Sequence, residues 1–176
     1  MILKVARLGH PVLRLVAKPI PPDQITTPAV QEFIDDLIET MYEYDGAGLA
    51  APQVHVSQQI VAMEVSKNPR YPKAPEIPLT IYINPEITPL TEDMDEDWEG
   101  CLSVPGLRGR VPRYIKIRLR AYDRQGKRVD FVAEGFHARV IQHECDHLQG
   151  KVYLDRMRDM SSLTFLEEFA KYGLRE

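Results

Sequence analysis

The chain has 176 residues, 44% hydrophobic and 27% charged, the size and mix of one folded domain rather than of a disordered or fibrous chain. Its formal net charge of -4 weighs against a nucleic-acid-binding or membrane-surface protein, both of which need a basic footprint, and no apolar run is long enough to span a bilayer. The N-terminal Met-Ile-Leu-Lys-Val-Ala-Arg lacks the apolar core and cleavage site of a signal peptide, so a cytoplasmic address is expected (a processed organellar protein would read the same).

The first periodic segment predicts a helix over residues 28–44. Val30, Phe33, Ile34, Leu37, Ile38 and Met41 recur at helical spacing, Pro28 suits the first turn, and Thr27 suits the N-cap. A glycine-rich stretch follows, then strand signals at 59–65 and 79–84. Residues 66–78 hold four prolines and are expected as a surface loop. The acidic run Glu92, Asp93, Asp95, Glu96, Asp97 is expected as a second, solvated loop. Residues 114–122 alternate Ile115, Ile117 and Leu119 with Lys116, Arg118 and Arg120. With 127–133 they predict a hairpin with one wet face. A helix is expected over 135–149, ending at Gly150. A last amphipathic helix is expected over 161–172, with Leu163, Leu166, Phe169 and Ala170 inward. Strands that precede the longest apolar helix favour an α+β fold. The expectation is one domain over 1–176, with mostly antiparallel sheets packed around a central helix and a further helix at the C-terminus.

That central helix carries His143-Glu144-Cys145-Asp146-His147. Positions i and i+4 lie about 40° apart around a helix, so both imidazoles face one way and can share one metal ion. Glu144, about 100° from His143 and about 60° from His147, is placed for a general base. A metal in such a site lowers the pKa of water toward neutrality. Two histidines and a glutamate among Phe136, Val140 and Leu148 would be costly without such a partner. Three readings of the third ligand compete: a histidine where this chain has Tyr153, Glu167 on a later helix, and Cys101. Cys101 and Cys145 are the only cysteines, and a cytoplasmic setting favours free thiols or a metal ligand over a disulfide. Cys145, on the far side of the helix from His147, is expected to pack in the core.

Three segments bear on the choice. Gly46-Ala47-Gly48-Leu49-Ala50-Ala51-Pro52-Gln53, Glu99-Gly100-Cys101-Leu102-Ser103 and Gln142-His143-Glu144-Cys145-Asp146-His147-Leu148-Gln149-Gly150 resemble the three motifs of peptide deformylases. They stand in that family's order and at similar spacing. The resemblance covers nearly the whole chain, from Gly9-His10-Pro11-Val12-Leu13-Arg14 to the motif helix. It implies a metal-dependent amidase that removes the formyl group from formyl-methionyl nascent polypeptides and releases formate. Cys101, His143 and His147 would hold one divalent metal, Fe²⁺ in vivo, with Zn²⁺ or Ni²⁺ also able to occupy the site. Glu144 would act as general base and then general acid. Gln53 and the Leu102 N–H would bind the oxyanion, Gly48 would meet substrate through its backbone, and Arg108 would stand near the substrate peptide.

The residues suggest how substrate is held. Gly46 and Gly48 permit close backbone approach, so a peptide can add as a strand between this segment and residues 99–103. Phe136 and Val140, one to two turns before His143, are expected to form a wall of the methionine pocket. The expected partners are formylated nascent chains, with the ribosome near its exit tunnel as a possible docking site. No membrane and no sequence-specific nucleic acid is expected, and Glu167, Glu168 and Glu176 offset the tail's basic residues. Asp146 is expected to pair with Arg113, Trp98 to pack, and His10, His55 and His137 to be ordinary histidines. The alternatives are a zinc endopeptidase, which would tolerate loss of Cys101, and a non-catalytic metal-stabilised binding module.

Overall fold

The computed structural model describes residues 1–173. Helix α1 spans Pro28–Glu43. It begins at Pro28 because Thr27 is extended and the proline needs no N–H partner in the first turn. Its buried face is Ile34, Leu37, Ile38, Thr40 and Met41; of the periodic set read from the sequence, Val30 and Phe33 are only half-buried, and Thr40 was not in it.

Five strands form an antiparallel sheet in the order β1-β2-β3-β6-β7. They are β1 Gly48–Ala50, β2 Ile60–Val65, β3 Ile77–Pro89, β6 Lys116–Tyr122 and β7 Arg128–Glu134. Three more, β4 Met94–Cys101, β5 Val104–Tyr114 and β8 Thr164–Phe165, form a second antiparallel sheet in the order β4-β5-β8. Strand β2 is apolar on both faces because both faces are covered. Ile60 and Ala62 pack with α1 residues Ile34, Leu37 and Met41. Val61 and Met63 pack with Ala138, Val140, Ile141 and Leu148 of helix α2, Gly135–Leu148. Helix α2 therefore runs as the central element against the large sheet. It stops at Gly150, which has φ +70 and abuts the Arg14 carbonyl.

Three expectations need correction. The acidic run is not wholly a loop: Asp95, Glu96 and Asp97 lie exposed on β4, opposite Arg113, Pro112 and Val111 of β5. An edge strand tolerates such charges because one face and one edge meet water. Ile115 is exposed at the corner between β5 and β6, so the inward set of that hairpin starts at Ile117. At the C-terminus a helix is present but shorter than expected. Residues 164–165 pair with β5 instead, the helix α3 covers only Leu166–Glu168, and a π-turn follows over Phe169–Gly173. Leu166 and Ala170 are exposed, while Leu163 and Phe169 are half-buried. Glu176 lies outside the described residues. No helix among the described residues is long and apolar enough to cross a membrane.

Candidate metal centre

Three short elements deliver the motif side chains to one place. Cys101 ends β4, and a two-residue turn of Leu102 and Ser103 leads into β5. The 3-10 turn Ala51–Val54 presents Gln53 beside it. The N-terminal segment ties the two together, with Ala6 N–H donating to the Gln53 carbonyl at 2.7 Å and Leu8 N–H to the Ser103 carbonyl at 2.8 Å. Helix α2 then carries His143 and His147 up from below, one turn apart.

The ligand atoms of Cys101, His143 and His147 lie within 4.8 Å of one another, and all three side chains are buried. Cys101 Sγ is 3.4 Å from His147 Nε2. That is the spacing of two donors sharing an ion held at about 2.0–2.3 Å from each. Burial alone would raise the Cys101 thiol, but His147 and His143 outweigh it and hold it well below the ordinary thiol range. One thiolate and two imidazoles fit Zn²⁺ or Fe²⁺. Of the rival third ligands, Tyr153 is a phenol packed beside His143 at 6.2 Å between ring centres, and Glu167 is exposed on α3.

A buried carboxylate orients one ligand. Glu99 Oε1 meets His143 Nδ1 at 2.7 Å, which leaves Nε2 of that ring for the cluster. The same carboxylate accepts from Arg113 at 2.9 Å through both oxygens and from Arg139 Nη1 at 2.7 Å. Burial would raise the Glu99 carboxyl, but Arg113 and His143 reverse that and hold it far below the carboxylate range. Arg113 continues to Asp146 at 2.6 Å, the pair expected from the sequence, and Asp146 to Arg156 at 2.9 Å. Glu99 and Arg139 received no role from the sequence. Arg139 stands one turn before His143, and that spacing was the available signal.

Glu144 is 4% exposed, and its Oε2 has no hydrogen-bond partner among the described residues. Burial pushes its carboxyl up, against the pull of His143 and His147. A Cβ on Gly48 would stand 2.6 Å from Glu144 Oε1, so glycine at 48 is what lets the carboxylate lie against β1. Gln53 Oε1 accepts from Ala50 N–H at 2.9 Å. That fixes its amide with Nε2 toward Ser103 Oγ at 3.1 Å and Cys101 Sγ at 3.5 Å.

A cavity opens on this cluster. Gly48, Gln53, Leu102, Phe136, Val140 and Glu144 all line it. Gly46 and Arg108 do not. Gly46 packs beside Leu102 and Met41, and Arg108 lies one layer back, behind Arg70 and Tyr71, which do line the cavity. Cys145 packs with the α2 core. Trp98 packs edge-to-face on Phe169 at 4.9 Å. His10 and His55 contact each other at 4.7 Å, and His137 stacks on Phe131 at 5.7 Å.

The chain is similar to known proteins. The polypeptide deformylase family profile matches residues 2–162. Peptide deformylase 1 of Bordetella pertussis is 50% identical over 167 residues, covering 95% of this chain and 94% of that protein. Peptide deformylase 2 of Ralstonia nicotianae is also 50% identical, over 95% and 93%. A class I type b peptide deformylase from Acinetobacter baumannii, bound to Met-Ala-Ser, superposes with a TM-score of 0.86 at 38% identity, covering 89% of this chain and 99% of that one.

Proposed function

From the premise that the chain belongs to the polypeptide deformylase family, we propose that the buried cluster on the C-terminal half of α2 is where it works. The chain is a metal-dependent hydrolase that removes the N-terminal formyl group from formyl-methionyl polypeptides and releases formate. The endopeptidase alternative falls away, because it leaves Gly46–Gln53 and Glu99–Ser103 without a role.

Cys101, His143 and His147 hold one divalent ion, Fe²⁺ in the cell, with Zn²⁺ and Ni²⁺ as substitutes. Such an ion would supply Lewis acidity and a water made nucleophilic near neutral pH. The side chains do the rest. Glu144, buried and with a free oxygen, takes a proton from the attacking water. As the water oxygen bonds to the formyl carbon, negative charge gathers on the formyl oxygen, where Gln53 Nε2–H and the Leu102 N–H donate to it. The C–N bond then breaks, the amine takes the proton from Glu144, and formate and a free N-terminal methionine leave.

Substrate is held between two sheet edges. Among the described residues, strand β1 pairs only with β2, and β4 only with β5, yet Gly48 of β1 and Gly100 of β4 line one cavity. A peptide adds between them as a strand, reading main chain and tolerating varied sequence. Its methionine side chain enters beside Phe136 and Val140. Gly46 acts at one remove, by giving β1 and Leu102 their close approach. The chain's place of action is the cytoplasm, where formylated nascent chains leave the ribosome.

The observation that carries this reading is the convergence of Cys101 Sγ with both imidazoles within 4.8 Å. Formate release from formyl-Met-Ala-Ser, with none from acetyl-Met-Ala-Ser, tests the reaction. Metal analysis of anaerobically purified protein tests the ion, and co-sedimentation with ribosomes tests the docking. Intact formyl peptide after incubation with metal-replete protein would overturn the reading.

A further inference from the structure

Arg108 has an unusual setting. Its guanidinium lies 5.2 Å from the ring centre of Tyr71 and 5.2 Å from that of Phe169, so two rings flank one cation. Its Nη2 donates to the Arg70 carbonyl at 2.5 Å, while its buried Nε has no hydrogen-bond partner among the described residues. Stacking therefore does much of the work of holding it.

Each neighbour leads somewhere. Tyr71 and Arg70 belong to the proline-rich segment between β2 and β3, and both line the cavity. Tyr71 packs on Phe136 at 5.4 Å and its hydroxyl accepts from Gly100 N–H at 3.3 Å, so it bridges the pocket wall and the β4 edge. Phe169 comes from the C-terminal π-turn, braced edge-to-face on Trp98 at 4.9 Å. The β8 pairing of Thr164 with Arg108 and Phe165 with Leu107 brings that turn to this spot. An unbroken contact series thus runs Trp98, Phe169, Arg108, Tyr71, Phe136. The segment has further anchors: Asn68 Nδ2 donates to the Asp45 carbonyl at 3.0 Å, and Tyr71 and Ala74 pack on the main core.

We propose that Phe169 is a positioning residue for the substrate cavity: the C-terminal turn clamps Arg108, and Arg108 seats Arg70 and Tyr71 at the cavity mouth. The inference rests on the deformylase reading but concerns residues outside its chemistry. Phe169 touches neither the metal cluster nor the cavity, so its loss acts on substrate binding and leaves the chemical step alone.

The test compares wild type with Phe169→Ala and Phe169→Leu, using formyl-Met-Ala-Ser. The leucine keeps an apolar contact for Trp98 but offers Arg108 no aromatic face, and it carries the same expectation if the alanine variant does not fold. KM rises roughly three- to tenfold, the range of one partly desolvated cation–π contact, while kcat and metal content stay within about twofold of wild type. Amide hydrogen exchange quickens in residues 66–76 and not in α2 or the large sheet. Phe169→Tyr, which restores an aromatic face, restores KM. Unchanged KM, or faster exchange spread over the whole chain, overturns the proposal. Failure of wild type itself to release formate would count against the deformylase reading instead.

Discussion

Glu99 and His143 face each other at 2.7 Å across the floor of the cavity, carboxylate oxygen to Nδ1, and that contact decides which nitrogen of the ring turns toward Cys101. A partner on the outer nitrogen of a ligating histidine fixes its tautomer and its orientation. Glu99 is itself fixed by Arg113 and Arg139, so the ring has little freedom. Glu99→Gln keeps the size but loses the charge, and roughly 10- to 100-fold in metal affinity should go with it. Competition against a chelator, at constant protein fold by circular dichroism, measures this. Wild-type affinity in that variant would show that Glu99 only packs.

The two cysteines should separate cleanly. Cys101 is 4% exposed, and its thiol is held down by His147 and His143 against its burial. Cys145 packs with the α2 core, and burial pushes its thiol up. Cys101→Ala is expected to purify without metal and without formate release. Cys145→Ala should keep both, at a stability cost of about 1 kcal/mol for a small, partly buried side chain. Metal content per chain and a urea unfolding curve for each variant decide the matter. Metal retention by Cys101→Ala is the outcome the proposed site cannot accommodate.

How much of this was legible in the sequence depends on how local each signal is. Helices α1 and α2 show their period directly, because each buries one stripe over several turns. Cys101 was one of three competing ligands until all three motifs were read together. Strands β4 and β5 were harder. Asp95, Glu96 and Asp97 read as a loop, and only their pairing with residues 111–113 makes them a strand, a contact that adjacent residues do not reveal. The same holds for Thr164 and Phe165, taken into β8 by Leu107 and Arg108 where helical period suggested otherwise. Glu99 sits inside a recognised motif, yet its partners come from β5 and two turns of α2. Its role follows from the fold alone.

Arg113 should matter most for stability. It is 4% exposed and lies between Glu99 and Asp146. Arg113→Met leaves two buried carboxylates short of a partner, which costs roughly 3–5 kcal/mol. For a chain of this length that is a fall of about 6–20 °C in Tm. The exposed pair Arg118 and Asp130, 2.7 Å apart, is the control. Solvent screens it, so Arg118→Met should leave the melting curve where it was. Calorimetry on both variants tests the contrast, and equal Tm values would deny Arg113 its structural weight.

Gly48 offers the sharpest test of the general base, because it disturbs Glu144 without replacing it. Gly48 has no positive φ, so an alanine there meets no backbone strain. What it meets is the carboxylate: the new Cβ would lie 2.6 Å from Oε1 and 2.7 Å from Cδ of Glu144. That side chain is 4% exposed in a packed site and has little room to swing aside. The carboxylate is displaced from the place where the proposed mechanism has it take a proton from water, while Cys101, His143 and His147 stay in place. Positioned acid–base groups contribute about 10²–10⁴-fold, and a displaced one forfeits much of that. Gly48→Ala is therefore expected to bind metal at full stoichiometry, melt a few degrees below wild type, and lose kcat by roughly 10- to 1,000-fold. Steady-state kinetics, metal analysis and a thermal melt read the three quantities, and near-normal kcat would mean that Glu144 does not carry the proton.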